Sequence, residues 1–132
     1  MMKLIYSTAL LLLLGVCACQ KKDDTAVNAD DVVITITSPQ EGQTFHAGDT
    51  VFVSADVTYP SELHGYEVKI TDTASGIIVY DETQHTHTDH FIIHDYWICA
   101  ASQATNYKLE LIASIDHEGH TAQKTRLFHG QP

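Results

Sequence analysis

The sequence predicts an all-β protein: one antiparallel β-sandwich of about seven short strands, behind a leader and a tether. Three observations carry this. Apolar and β-branched residues alternate with period two in one short run after another. Gly, Pro and Asp punctuate the chain between those runs, at intervals of roughly ten residues. No window holds a helical period, apart from a single turn near CAASQAT.

The strands follow in order. VVITITS is β-branched through its centre and sets Val33, Thr35 and Thr37 on one face. The stretch PQEGQTFHAGDT, broken by Gly42, Gly48 and Asp49, reads as connection. VFVSADVTY then places Val51, Val53, Ala55 and Val57 together, and GYEVKITD does the same with Tyr66, Val68 and Ile70. GIIVYDE, HFIIHDYWI, YKLELIASI and HTAQKTRLF complete the set, with Leu109, Leu111, Ala113 and Ile115 sharing a face. The predicted strands are A at 32–37, B at 51–58, C at 65–72, C′ at 77–82, E at 87–95, F at 107–115 and G at 121–128.

The N-terminal residues read MMKLIYSTALLLLLGVCACQKKDD. A positive charge at Lys3 and an apolar run to Val16, too short for a permanent bilayer span, mark a secretory leader over residues 1–18. Val16-Cys17-Ala18-Cys19 resembles the bacterial lipobox, which implies that Cys19 is acylated and anchors the mature chain. Gln20-Lys21-Lys22-Asp23-Asp24 resembles the charged tract of Bacteroidota-type surface lipoproteins. That implies display on the outer face of the outer membrane; a periplasm-facing anchor is the alternative. Residues 19–31 form a polar tether, leaving residues 32–132 as a single domain.

Composition narrows the function. The chain has a formal net charge of −10, and loss of Lys3 with the leader leaves six Lys/Arg against 17 Asp/Glu. Nucleic-acid binding, which needs basic clusters, is excluded as an expectation, and so is electrostatic adhesion to anionic lipid. Attraction for cations follows naturally. Once the leader is removed, Cys19 carries lipid and Cys99 has no partner, so Cys99 is expected as a buried, inert thiol. The chain shows no P-loop, no Gly-x-Gly-x-x-Gly and no nucleophile elbow, and no spacing singles out a Ser-His-Asp triad. The expectation is a protein without enzymatic activity.

The segment ITSPQEGQTFHAGDTVFVSADV resembles the first two strands of bacterial Ig-like or fibronectin-III-like modules. LIASIDHEGHTAQKTRLF resembles their last hairpin, except that Gly119-His120 stands where Gly-Asn is common and His117 lies inside the turn. The resemblance implies an Ig-like sandwich in a small lipoprotein family, and says little of function.

Nine histidines remain to be placed. His85-x-His87 puts two imidazoles on one strand face, with Cα atoms roughly 7 Å apart, close enough to share an ion. In Ig strand order the B–C, C′–E and F–G connections meet at one end. That gathers His64, His85, His87, His117 and His120 on one rim, with Asp89, Asp116 and Glu118 as supporting carboxylates. His46 and His129 map to the opposite end, and His90 and His94 read as half-exposed strand residues. Imidazole-rich sites suit Zn, Cu(II) or Ni, whereas Ca²⁺ prefers oxygen ligands. The expected function is Zn or Cu(II) capture, buffering or delivery at the cell envelope by a lipid-anchored protein. One alternative is an adhesion or docking module using Tyr59, Tyr66, Tyr80 and Trp97; a weaker one is haem capture by paired histidines.

Overall fold

A computed structural model describes residues 27–132. The leader, Cys19 and most of the expected tether therefore lie outside the described residues. After one 3-10 turn at Ala29–Asp31 come six strands: β1 (Val33–Ser38), β2 (Thr44–His46), β3 (Thr50–Asp72), β4 (Ile78–Ile98), β5 (Thr105–Ser114) and β6 (Thr121–Gln131). The expected all-β sandwich is present, but two of its strands are far longer than expected. Strands B and C are one continuous strand, β3, and C′ and E are another, β4.

Partner exchange explains the length. The first part of β3 pairs antiparallel with β1, Val57 facing Ile34. Its second part pairs antiparallel with β5, Val68 facing Leu111. β4 follows β3 along both parts, from Thr50↔Ile98 to Thr71↔Ile78. The two strands thus run together out of one sheet and into the other. β6 extends the second sheet beside β5, and short β2 joins it in parallel, Phe45 facing Gly130. The sequence marks the β2 segment as connection, because three residues are too few to show period two.

Alternation places the core as the sequence indicates. Val51, Val53, Ala55 and Val57 are buried, as are Leu109, Leu111, Ala113 and Ile115. On β1 the buried residues are Ile34 and Ile36, so Val33, Thr35 and Thr37 form the solvent face. Phe128, fully buried, stacks against Tyr107 and meets the edge of Phe45. Truncating such a ring to Ala costs about 3–5 kcal/mol. Cys99 is free and buried, as expected. Gly130 is needed for its size: a Cβ there would lie 2.6 Å from the Tyr107 ring and 2.8 Å from Ala101 Cβ.

Where β3 and β4 change sheets, their pairing breaks register twice. Tyr59–Glu62 of β3 stand opposite Asp89 alone, and His64 then stands opposite Thr86 and His87. Such bulges bend a strand and re-aim its side chains. Gly65 completes the bend with φ +144°, and a Cβ there would fall 2.3 Å from the Gln84 carbonyl oxygen. The expected B–C and C′–E loops are therefore bulged strand rather than loop. The ladder is interrupted only at the bulges and resumes on either side of the corner.

Candidate metal centre

Three strands' worth of backbone converge at this corner. The β3 bulge supplies Glu62 and His64, and the adjoining part of β4 supplies His85 and His87. Period two puts both β4 rings on one side of the strand. The β5–β6 turn lies alongside, because Gly65 of β3 is paired with Ser114 at the end of β5. That turn is built by Asp116, whose Oδ1 accepts from the backbone N–H groups of Glu118 and His120 at 2.9 and 3.0 Å. Gly119, at φ +96°, lets the chain reverse. His117 is carried on the near side of this turn.

His64, His87 and His117 each place one ring nitrogen within 4.8 Å of the others. His64 Nδ1 is 3.0 Å from His117 Nε2, and His85 Nε2 is 3.0 Å from His87 Nε2. Neighbouring nitrogens around a tetrahedral Zn²⁺ are about 3.3 Å apart, given bonds of about 2.0–2.1 Å. The spacing therefore already approaches that of a coordination shell. His85 adjoins the trio through His87, its ring centroid 6.0 Å from that of His117.

Glu62 orders two of the rings. Its Oε1 accepts from His87 Nδ1–H at 2.9 Å and lies 3.9 Å from His64 Nε2. With its proton held on Nδ1, His87 presents a lone pair on Nε2, into which His85 Nε2–H donates in the absence of an ion. A carboxylate on the far nitrogen fixes tautomer and orientation and makes the ring a better ligand. His64 is similarly aimed, with Nδ1 toward the trio and Nε2 toward the carboxylate. Sequence reasoning missed Glu62 and named Asp89, Asp116 and Glu118 in its place. The signal was present as a Glu two residues before His64, but only the bulge turns it toward His87.

His120 departs from its expected place. Its Nδ1 hydrogen-bonds Asp116 Oδ2, and with Asp116 and Glu118 it forms a second group beside the turn. The structure thus brings together His64, His85, His87 and His117 and leaves His120 outside. The Asp116 carboxylate claims its ring instead. Asp116 is held below the usual carboxylate range: burial raises it, but hydrogen bonds from His120 and the turn N–H groups more than offset that.

Three of the four remaining histidines have a polar neighbour of their own. His90 Nε2 lies 2.9 Å from Asp56, and His129 Nδ1 lies 2.7 Å from Asn106 Oδ1. His46 lies 3.8 Å from Asp49. Pairing of Thr44 with His129 and of His46 with Gln131 puts both at the end opposite the rim, as expected.

Fold and strand order define the class: this chain carries an Ig-like β-sandwich domain. The Bacterial Ig domain family matches residues 33–96. Fibronectin(III)-like modules of CbhA from Clostridium thermocellum are 20% identical with a TM-score of 0.50, over 75% of this chain and 96% of that one. That likeness shows the fold. The CARDB domain of a Pyrococcus furiosus protein, solved in complex with di-metal ions, is 9% identical with a TM-score of 0.44. The alignment spans 77% of this chain and 94% of that one, and this likeness carries no argument here. No curated protein matches the chain.

Proposed function

We propose that this chain is a lipid-anchored protein of the cell envelope that binds Zn(II) or Cu(II) on the rim of its Ig-like domain. One observation carries the reading: three imidazoles from distant parts of the chain share one small space, and a carboxylate orients two of them. His64, His87 and His117 are the ligands, and a rotation of His85 supplies the fourth nitrogen. His64 is largely covered, but His87 is 46% exposed and His117 is exposed too, so the ligands hold an ion at the surface, where it can be taken up and passed on. Nitrogen ligands without methionine or thiolate suit Zn(II) or Cu(II). Anchorage through Cys19, and display at the cell surface, rest on the lipobox and the charged tract after it.

Isothermal titration with Zn(II) and Cu(II) on residues 26–132 tests the metal reading. Wild type should bind one ion tightly and melt at a higher temperature when loaded, because the ion binds the folded corner and not the open chain. His85→Ala/His87→Ala should lose this binding, and His46→Ala/His129→Ala should keep it. Equal weak binding by all three proteins overturns the proposal. Membrane fractionation of Cys19→Ala tests the anchor separately: the variant should leave the membrane fraction or fail to be processed.

A further inference from the structure

The metal reading leaves one large feature unused. β4 is hydrogen-bonded to β3 and to no other strand among the described residues, so one side of a 21-residue strand is bare. Its two arms end the two sheets on the same flank of the sandwich. Between the arms lies a groove of about 520 Å³, lined by Tyr66, Tyr80, Glu82, Asp95, Tyr96 and Trp97 among others. The second arm lines it with five consecutive residues, His94 to Ile98, so the groove runs along the strand's edge. Tyr80 and Glu82 share one face of the first arm, and Asp95 and Trp97 share the core-side face of the second with buried Ile93.

Two carboxylates therefore point into an aromatic groove. Among the described residues, neither Glu82 nor Asp95 has a Lys, Arg or His within ion-pair distance. Their partners are neutral: Gln84 Nε2 donates to Glu82 Oε1 at 2.6 Å, and the Tyr96 N–H donates to Asp95 Oδ1 at 2.8 Å. The Tyr80 hydroxyl is pushed well up, first by burial and then by a hydrogen bond to Asp95 and the charges of Asp95 and Glu82. The groove is thus electronegative and partly desolvated.

We propose that this groove and the bare edge of β4 dock an extended, basic segment of another polypeptide. The segment adds a strand along residues 90–98, the common mode of edge recognition. One of its Lys or Arg side chains enters the groove, where Glu82 and Asp95 neutralise it and the rings of Tyr80, Tyr96 and Trp97 pack on its stem and charge. Charge complementarity selects this occupant. A second copy of the chain would bring Glu82 and Asp95 against their own kind; inward-pointing charges of this sort guard a bare edge against self-pairing. A neutral saccharide would strip water from both carboxylates and neutralise neither.

Trp97 is the one tryptophan of the chain, so its fluorescence reports the groove alone. The test titrates the full chain, purified in detergent, with three probes: a capped seven-residue peptide alternating Lys or Thr with Val, the same peptide with Glu for Lys, and a neutral glucose hexamer. The Lys peptide should shift Trp97 emission saturably, and its Kd should rise about tenfold or more in about 0.5 M NaCl. Glu82→Gln/Asp95→Asn should weaken it similarly, and so should Tyr96→Ala, whose ring is 62% exposed and supports no core. His87→Ala should bind the peptide as wild type does, which separates this site from the metal centre. Equal binding of Lys and Glu peptides, saturation by the sugar instead, or no response to any probe overturns the proposal.

Discussion

The two ends of the sandwich use histidine in opposite ways. At the far end His129, His46 and Asp72 each have a neighbour of their own. His129 bonds Asn106, His46 lies by Asp49, and Asp72 accepts from the Ala74 and Ser75 N–H groups in the β3–β4 turn. At the rim the histidines face one another, and Glu62 serves two of them. Self-contained polar groups serve local structure. Imidazoles that converge on one space, with a shared carboxylate behind two of them, are arranged for something brought from outside.

The contrast can be broken most directly at its centre. His87→Ala removes the ring that touches both Glu62 and His85, and metal affinity should fall by more than about a hundredfold, beyond the usual loss from altering a supporting group. Adding His85→Ala should cost less than its separate effect, because the two act in one site. Calorimetric titration reads both. Additive losses would mean that the two rings work independently.

Gly65→Ala attacks the scaffold that makes the rim different. The new Cβ would meet the Gln84 carbonyl oxygen at 2.3 Å, in a backbone conformation that L side chains avoid. Urea unfolding should show a loss of about 2 kcal/mol or more. Glu62→Gln is gentler, because it keeps the shape and removes the charge on the far side of His87. It should lower metal affinity about tenfold without changing stoichiometry. An unchanged affinity would show that the carboxylate does not tune the ligands.

The smallest effects belong to the far end. Hydrogen bonds from the Ala74 N–H, then from the Ser75 hydroxyl and N–H, hold the Asp72 carboxyl below its ordinary value of 3.8. A carboxylate lowered on folding stabilises fully above its unfolded pKa and loses that contribution as pH falls through the folded value. Asp72→Asn should therefore lower stability slightly at neutral pH, leave it unchanged at low pH, and flatten the acid limb of a stability–pH profile below about pH 4. Metal binding should not respond at all, and a response would mean that the two ends are coupled.

Much was legible because it depends on local order. Period two and the turn residues reveal the strands, the buried faces of β3 and β5, and the inert burial of Cys99. The separation of rim from far-end histidines followed from strand direction alone. The continuity of β3 and β4 was hidden, since residues 59–64 carry Pro60, Gly65 follows, and both normally end strands. The length of β4 was hidden likewise, since the strand bends between its arms without a turn residue to announce it.

By itself the sequence determined the all-β class and the end of the domain at which histidine gathers. These follow from hydrophobic period and chain direction, which are properties of neighbours along the chain. Only the tertiary structure decided which histidines meet. A two-stranded bulge set His64 against His87, turned Glu62 onto both, and left His120 to Asp116 on the other side of its turn. Nitrogen atoms must approach within a few ångströms to hold one ion, and register shifts of a single residue move side chains farther than that.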